Sequence, residues 1–131
     1  MLVVEDNKAD VFLIQEAVSV HKLNVQLHIV DDGQLAMNFV DRAGSDPATP
    51  CPILYLLDLN MPIHNGYEVL HHLRGHERCK EIPVVVMTSS QSEHDRSEVM
   101  RLGASAYFHK PLSYDEFLQI GEVIRGLLPK E

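Results

Sequence analysis

The chain has 131 residues, enough for one compact domain, and 45% of them are hydrophobic, which supplies a core. Its formal net charge of -8 argues against a basic nucleic-acid interface and suits a carboxylate-rich site that recruits a cation. The longest apolar runs, Ile53–Leu57 and Ile82–Met87, are too short to span a bilayer, and the start shows no basic segment followed by an apolar one. A soluble, cytoplasmic protein with no membrane or nucleic-acid partner is therefore expected.

The elements alternate along the chain. Leu2–Glu5 is a short apolar run. Lys8–Val20 repeats Val11, Ile14 and Val18 at helical spacing, with Leu13 and Ala17 alongside. Val25–Val30 reads as a second strand. Asp32–Gly44 reads as a helix with Leu35, Ala36, Phe39 and Val40 on one face and Gly44 as its stop. A Pro-rich loop, "SDPATPCP", leads to a third strand, "ILYLL", and a third helix over Gly66–Gly75. Ile82–Met87 is a fourth strand, with Pro83 near its start where a missing N–H is tolerated. Ser92–Gly103 is a fourth helix and Ser105–His109 a less apolar fifth strand. Ser113–Leu128 closes the chain as one amphipathic helix, with Phe117, Ile120, Val123, Ile124 and Leu127 inward. Ser113 is its cap, with Glu116 three residues on in a capping-box pattern.

Five strands alternating with five helices predict an α/β fold with a parallel sheet. The strands read as continuous apolar runs, as they should when helices cover both faces. No repeat or second domain is visible, so residues 1–131 are expected to form a single domain without an output domain. The first strand starts so close to Met1 that a few residues are expected to be missing at the front. Cys51 and Cys79 sit in no C-x-x-C pair and are too few for a four-thiolate zinc site, so two free thiols in a reducing compartment are expected.

Ligands of open parallel sheets bind outside the carboxyl ends of the strands. The residues there are Glu5 and Asp6, then Asp31 and Asp32, then Asp58 with Asn60 beyond, then Thr88, Ser89 and Ser90, then His109, Lys110 and Pro111. Taken singly, each acid reads as a helix cap or a solvated charge, Thr88 as a turn residue and Lys110 as a surface charge. Taken jointly, Glu5, Asp6 and Asp58 repel one another unless a cation joins them, and Mg²⁺ prefers such oxygen ligands. One lysine and a hydroxyl cluster match a phosphoryl group. Two rival phosphate chemistries are absent: no Gly-rich stretch ends in Gly-Lys-Ser/Thr, and the first turn, "EDNKAD", contains no glycine.

The stretches "VVEDN", "DLNMPIHNG", "MTS" and "LGASAYFHKPLS" together resemble a response-regulator receiver domain of two-component signalling, over essentially the whole chain. The resemblance implies a doubly wound, flavodoxin-like sheet in strand order 2-1-3-4-5. It implies that Asp58 is the phosphoacceptor for a partner histidine kinase or a relay phosphotransfer protein. Mg²⁺, or Mn²⁺ in its place, would be held by Asp6 and Asp58, by Glu5 through water and by the Asn60 carbonyl. Thr88, Ser89 and Lys110 would stabilise the phosphoryl group, with Pro111 in a cis peptide aiming Lys110 inward. Thr88 and Tyr107 would form the switch, and Asn60 and Ser90 would tune the hydrolysis rate.

The implied protein is a phosphorylation-switched regulator rather than a turnover enzyme. Its signalling face would run from the fourth helix to the last, toward an unidentified downstream protein; Val123, Leu127 and Leu128 would support a homodimer or simply fill the core. Asn60 separates the chain from aspartate-nucleophile phosphatases, which carry an acid two residues after the nucleophile. A receiver-like scaffold without phosphotransfer is the rival reading, disfavoured by the intact set of Glu5, Asp6, Asp58, Thr88 and Lys110. Glu5 stands where many relatives carry Asp. The long "RAGSDPATPCP" loop and "IPVVVMTSS" resemble single-domain regulators paired with bacterial phytochrome kinases.

Two further patterns read as solvated surface. His72 and His76 have i, i+4 spacing, yet Gly75 lies between them and no third ligand is near in sequence. "SEHDRSEVMR" reads as an exposed helix face.

Overall fold

A computed structural model describes residues 1–61 and 64–129. The strands are β1 (Leu2–Val4), β2 (His28–Val30), β3 (Tyr55–Asp58), β4 (Val84–Thr88) and β5 (Ala106–His109). The helices are α1 (Lys8–Val20), α2 (Gly33–Ser45), α3 (Gly66–Gly75), α4 (Glu93–Arg101), α5 (Tyr114–Phe117) and α6 (Ile120–Leu127). All strand pairs are parallel, in the order β2-β1-β3-β4-β5. This is the expected doubly wound arrangement.

Strand residues alternate between two cores, as the two-residue period of a strand requires. Leu2, Val4, Tyr55, Leu57, Val84 and Val86 join Val40, Val69, Leu70 and Leu73 on one face. Val3, Leu56, Val85 and Met87 join Ile14, Ala17, Phe117, Ile120 and Ile124 on the other. Both faces of the sheet are thereby covered, which is why its strands carry few polar residues.

The strand boundaries differ from the expected ones by the limits of pairing. β1 is only three residues long, so Val25–Leu27 have no ladder to join. β3 and β4 each extend one residue further, to Asp58 and Thr88, because those residues remain in register with Met87 and His109. Leu35, expected inward, is exposed.

The closing helix is two helices, not one. The His21 ring bonds the Leu118 carbonyl at 2.9 Å. Around that point the backbone tightens to i→i−3 bonds, Gln119 to Glu116 and Gly121 to Leu118. A side chain inserted into the ladder breaks the helix there. Val123, Leu127 and Leu128 pack against the core, which favours a filling role over a free dimer face.

The expectation of two free thiols is also overturned. Cys51 and Cys79 form a disulfide, with Cα atoms 5.7 Å apart. Their separation of 28 residues hides the pairing; the loop before β3 meets the turn after α3. At the same end of the sheet, Arg74 donates to the carbonyls of Gly103 (3.0 and 2.7 Å), Lys80 (2.6 Å) and Ile82 (2.7 Å).

Candidate functional site

Among the described residues the buried polar or charged side chains are Glu5, Asp58 and Thr88. Each ends, or directly follows, one of the three central strands. Burying such groups is costly unless they are paired, so their convergence needs partners. Lys110, just after β5, supplies the charge. Its Nζ lies 2.6 Å from Glu5, 2.8 Å from Asp10 and 3.5 Å from Asp58.

Burial alone would push the Lys110 ammonium toward losing its proton, but the Asp10 and Glu5 carboxylates outweigh that and hold its pKa above the ordinary lysine value. At Glu5 burial wins. The carboxyl is raised to about 8, with Asp58 adding to the rise and Lys110 opposing it. Three carboxyl groups around one ammonium leave the site short of positive charge whenever all three are ionised, and Glu5 is the one that holds its proton.

One carboxylate oxygen from each of Glu5, Asp6 and Asp58 lies within 4.8 Å of the other two. An all-oxygen donor set of this kind fits a hard divalent cation. Asp6 is free for that purpose because Asn7, rather than Asp6, caps α1. The Asn7 side chain accepts from Ala9 N (2.9 Å) and Asp10 N (3.1 Å). A cleft of about 330 Å³ opens over the cluster, lined among others by Asp6, Asp58, Asn60, Ser89, Lys110 and Pro111.

The loop after β3 is held by local bonds. Asn60 N donates to Asp58 Oδ1 at 3.2 Å, and Asn60 Nδ2 donates to Thr88 Oγ1 at 2.8 Å. Gly66 N donates to the Leu59 carbonyl at 2.8 Å. A Cβ on Gly66 would stand 2.6 Å from Leu59 Cα, so close approach demands glycine there. Pro62 and Ile63 of the "NMPIHNG" segment lie outside the described residues.

Thr88 also accepts from Ser90 N at 3.0 Å. The Ser90 hydroxyl turns away from the cleft and donates to Asp95 at 2.9 Å, and Asp95 also accepts from the Tyr67 hydroxyl. Tyr107 donates from its hydroxyl to the Ser90 carbonyl at 3.0 Å, with the Arg96 guanidinium 5.7 Å from its ring. The expected site residues are thus brought together, except that Tyr107 and the Ser90 side chain sit one layer behind the cleft. Asp31 lines an adjoining cleft with Glu5 and Asp6 but is not one of the three clustered carboxylates, and Asp32 caps α2 by accepting from Leu35 N at 2.8 Å.

The expected cis peptide at Pro111 is not found: the described residues contain no cis peptide bond. Trans is the lower-energy form even before proline, and Lys110 reaches the carboxylates from it. Sequence reasoning missed Asp10. It lies in the first turn of α1, directly after the strand-end acids Glu5 and Asp6, and only the fold brings it to Lys110.

Comparison with known proteins places this geometry in a family. The model of the response regulator receiver domain matches residues 1–122. Response regulator Rcp1 of Synechocystis sp. is 40% identical over 126 residues, covering 96% of this chain and 86% of that protein. The crystal structure of the Mn(2+)-bound form of Rcp1 superposes with a TM-score of 0.85 at 36% identity, covering 98% of this chain and 97% of that one. The phosphorylated cyanobacterial phytochrome response regulator RcpA gives a TM-score of 0.85 at 35% identity, covering 97% and 91%. The chain belongs to the response-regulator receiver-domain family.

Proposed function

We propose that the protein is a phosphoacceptor switch in which Asp58 takes a phosphoryl group from a phosphohistidine. The observation that carries this is the position of Asp58. It is a nearly buried carboxylate at the end of β3, with Lys110 Nζ at 3.5 Å and Asp6 beside it.

A carboxylate is a weak nucleophile, so positioning and charge neutralisation must carry the step. An Asp58 oxygen attacks phosphorus, the bond from phosphorus to the donor imidazole nitrogen breaks, and the imidazole leaves with the electron pair. The product is an acyl phosphate on Asp58. Lys110 is placed to swing from Glu5 and Asp10 toward the incoming oxygens and offset their charge. Thr88 and Ser89 would donate hydroxyls to the phosphoryl group, and Pro111 fixes the backbone behind Lys110.

Asp6 and Asp58, with Glu5 behind them and the Asn60 carbonyl, would hold Mg²⁺ or Mn²⁺. The cation would supply neutralisation of the charge that the incoming phosphoryl group brings to Asp58. The likeness of this chain to the Mn(2+)-bound form of Rcp1 supports this choice.

Asn60 offers no acid-base carboxyl, so the adduct would persist as a signal, with Asn60 and Ser90 setting its lifetime rather than turning over substrates. Capture of the Thr88 hydroxyl by the phosphoryl group would shift Ser90 and with it Tyr107, a two-state change read out on α4, β5 and α6. The similarity to Rcp1 and to the phytochrome regulator RcpA supports a histidine kinase of the phytochrome class as donor.

Intact mass after incubation with Mg²⁺ and acetyl phosphate tests the reading. One phosphoryl adduct is expected, dependent on Mg²⁺ and absent from Asp58→Asn. No adduct from either a small donor or a phosphorylated kinase, together with no Mg²⁺ binding, would leave only a scaffold role.

A further inference from the structure

The i, i+4 histidines on α3 have a third partner that only the fold supplies. Asp41, on α2, places one carboxylate oxygen, Oδ1, 2.7 Å from His72 Nε2 and 2.7 Å from His76 Nε2. His72 and His76 are successive on one helix face, with ring centroids 5.0 Å apart. The three donor atoms lie within 4.8 Å of one another. The side chains of His72, His76 and Asp41 are partly open to water, at 32%, 30% and 51% of their surface.

We propose that Asp41, His72 and His76 form a second cation site, selective for a borderline transition ion such as Zn²⁺ and distinct from the acidic cleft. The donor chemistry decides the ion. Two imidazole nitrogens and one carboxylate suit Zn²⁺ and its neighbours, whereas Mg²⁺ demands oxygen. Ligand atoms around four-coordinate zinc stand about 3.3 Å apart, given bonds of about 2.0–2.1 Å. The observed 2.7 Å contacts therefore open by about half an ångström on metallation, a movement that exposed side chains make by small rotations.

The ion displaces the protons that now bridge Asp41 to both rings, so a cross-strut between α2 and α3 is replaced by coordinate bonds. Water completes the coordination on the open side. The role is structural: the site lies on the α2–α3 surface and contributes no side chain to the Asp58 cleft. It stands whether or not Asp58 is phosphorylated.

The test is calorimetric titration of tag-free protein with Zn²⁺ in excess Mg²⁺, which keeps the acidic cleft filled. One equivalent is expected to bind in the micromolar range and to raise the melting temperature. His72→Ala, His76→Ala and Asp41→Ala should each weaken binding by about tenfold or more. His71→Ala, on the neighbouring exposed face, should leave it unchanged. Cobalt(II) should show the visible absorption of a protein-bound low-coordinate ion in the wild type and lose it in His76→Ala. Metal-free melting of each variant guards against misfolding. Zinc binding that survives the His72→Ala/His76→Ala double variant, that is lost instead in Asp6→Asn, or that never saturates below millimolar concentration would overturn the proposal.

Discussion

Asn60 Nδ2 donates to Thr88 Oγ1 at 2.8 Å, so the hydroxyl poised at the cleft is already engaged by the residue two positions beyond Asp58. Thr88 is fully buried and also receives the Ser90 N–H. A phosphoryl group that recruits Thr88 must therefore take it from Asn60 and disturb Ser90 in one movement.

Thr88→Val keeps the shape and deletes the acceptor. It should cost about 1–2 kcal/mol, because a buried N–H and an amide lose a partner. Asp58 should still accept a phosphoryl group, measured by intact mass, while the Tyr107 resonances stop responding to it. Unaltered urea stability together with a normal Tyr107 response would disprove the coupling.

Lys110→Ala leaves Glu5 and Asp58 buried without their cation. Removing one member of a buried charge cluster costs about 3 kcal/mol or more, and urea unfolding at neutral pH measures it. The pKa of Lys110 is raised by folding. Its contribution is therefore complete below the ordinary lysine value of 10.5 and fades as pH rises through the higher folded value. Wild type and variant should converge only in strong alkali; convergence already at neutral pH would contradict the ion-pair geometry.

The acidic cleft is largely legible in the sequence. Apolar runs that end on Glu5, Asp58 and Thr88 say which residues a parallel sheet delivers to one edge, and helical spacing bounded α1 and α3. What stayed hidden depends on distance in sequence. Nothing local joins Cys51 to Cys79, Asp41 to His76, or His21 to Leu118, and the last of these breaks the closing helix. Ser90 was legible as a position but not as a direction, since only packing of α4 turns its hydroxyl to Asp95.

Asp95 gathers hydroxyls from Tyr67 and Ser90, and these bonds, Tyr67 first, hold its carboxyl below the ordinary value of 3.8. A depressed carboxyl stabilises the fold above its unfolded value and loses that contribution as pH falls through the folded one. Asp95→Ala should thus cost about 1 kcal/mol or less at neutral pH, the group being partly solvated. The deficit should shrink in acid below the ordinary carboxylate range, as followed by thermal melts across pH. A deficit that grows in acid would exclude this role.

The bond between Cys51 and Cys79 closes a segment spanning 28 residues. Iodoacetamide should label neither sulfur in the unfolded, non-reduced protein and both after reduction. By chain entropy, reduction should cost about 3–4 kcal/mol of stability. Labelling of both without reductant would show that the thiols are free.

Arg74 sits at the other end of the sheet from the cleft and ties the turn before β4 to the turn before β5. A lever needs a fulcrum, and this guanidinium provides one. With the entry points of β4 and β5 pinned, a push at Thr88 would have little freedom to spread backward along the sheet. Were Asp58 phosphorylated, a displacement of Thr88 would instead pass outward through Ser90, toward the head of α4 and the Tyr107 hydroxyl, so the fixed pole opposite the cleft would give the switch its direction.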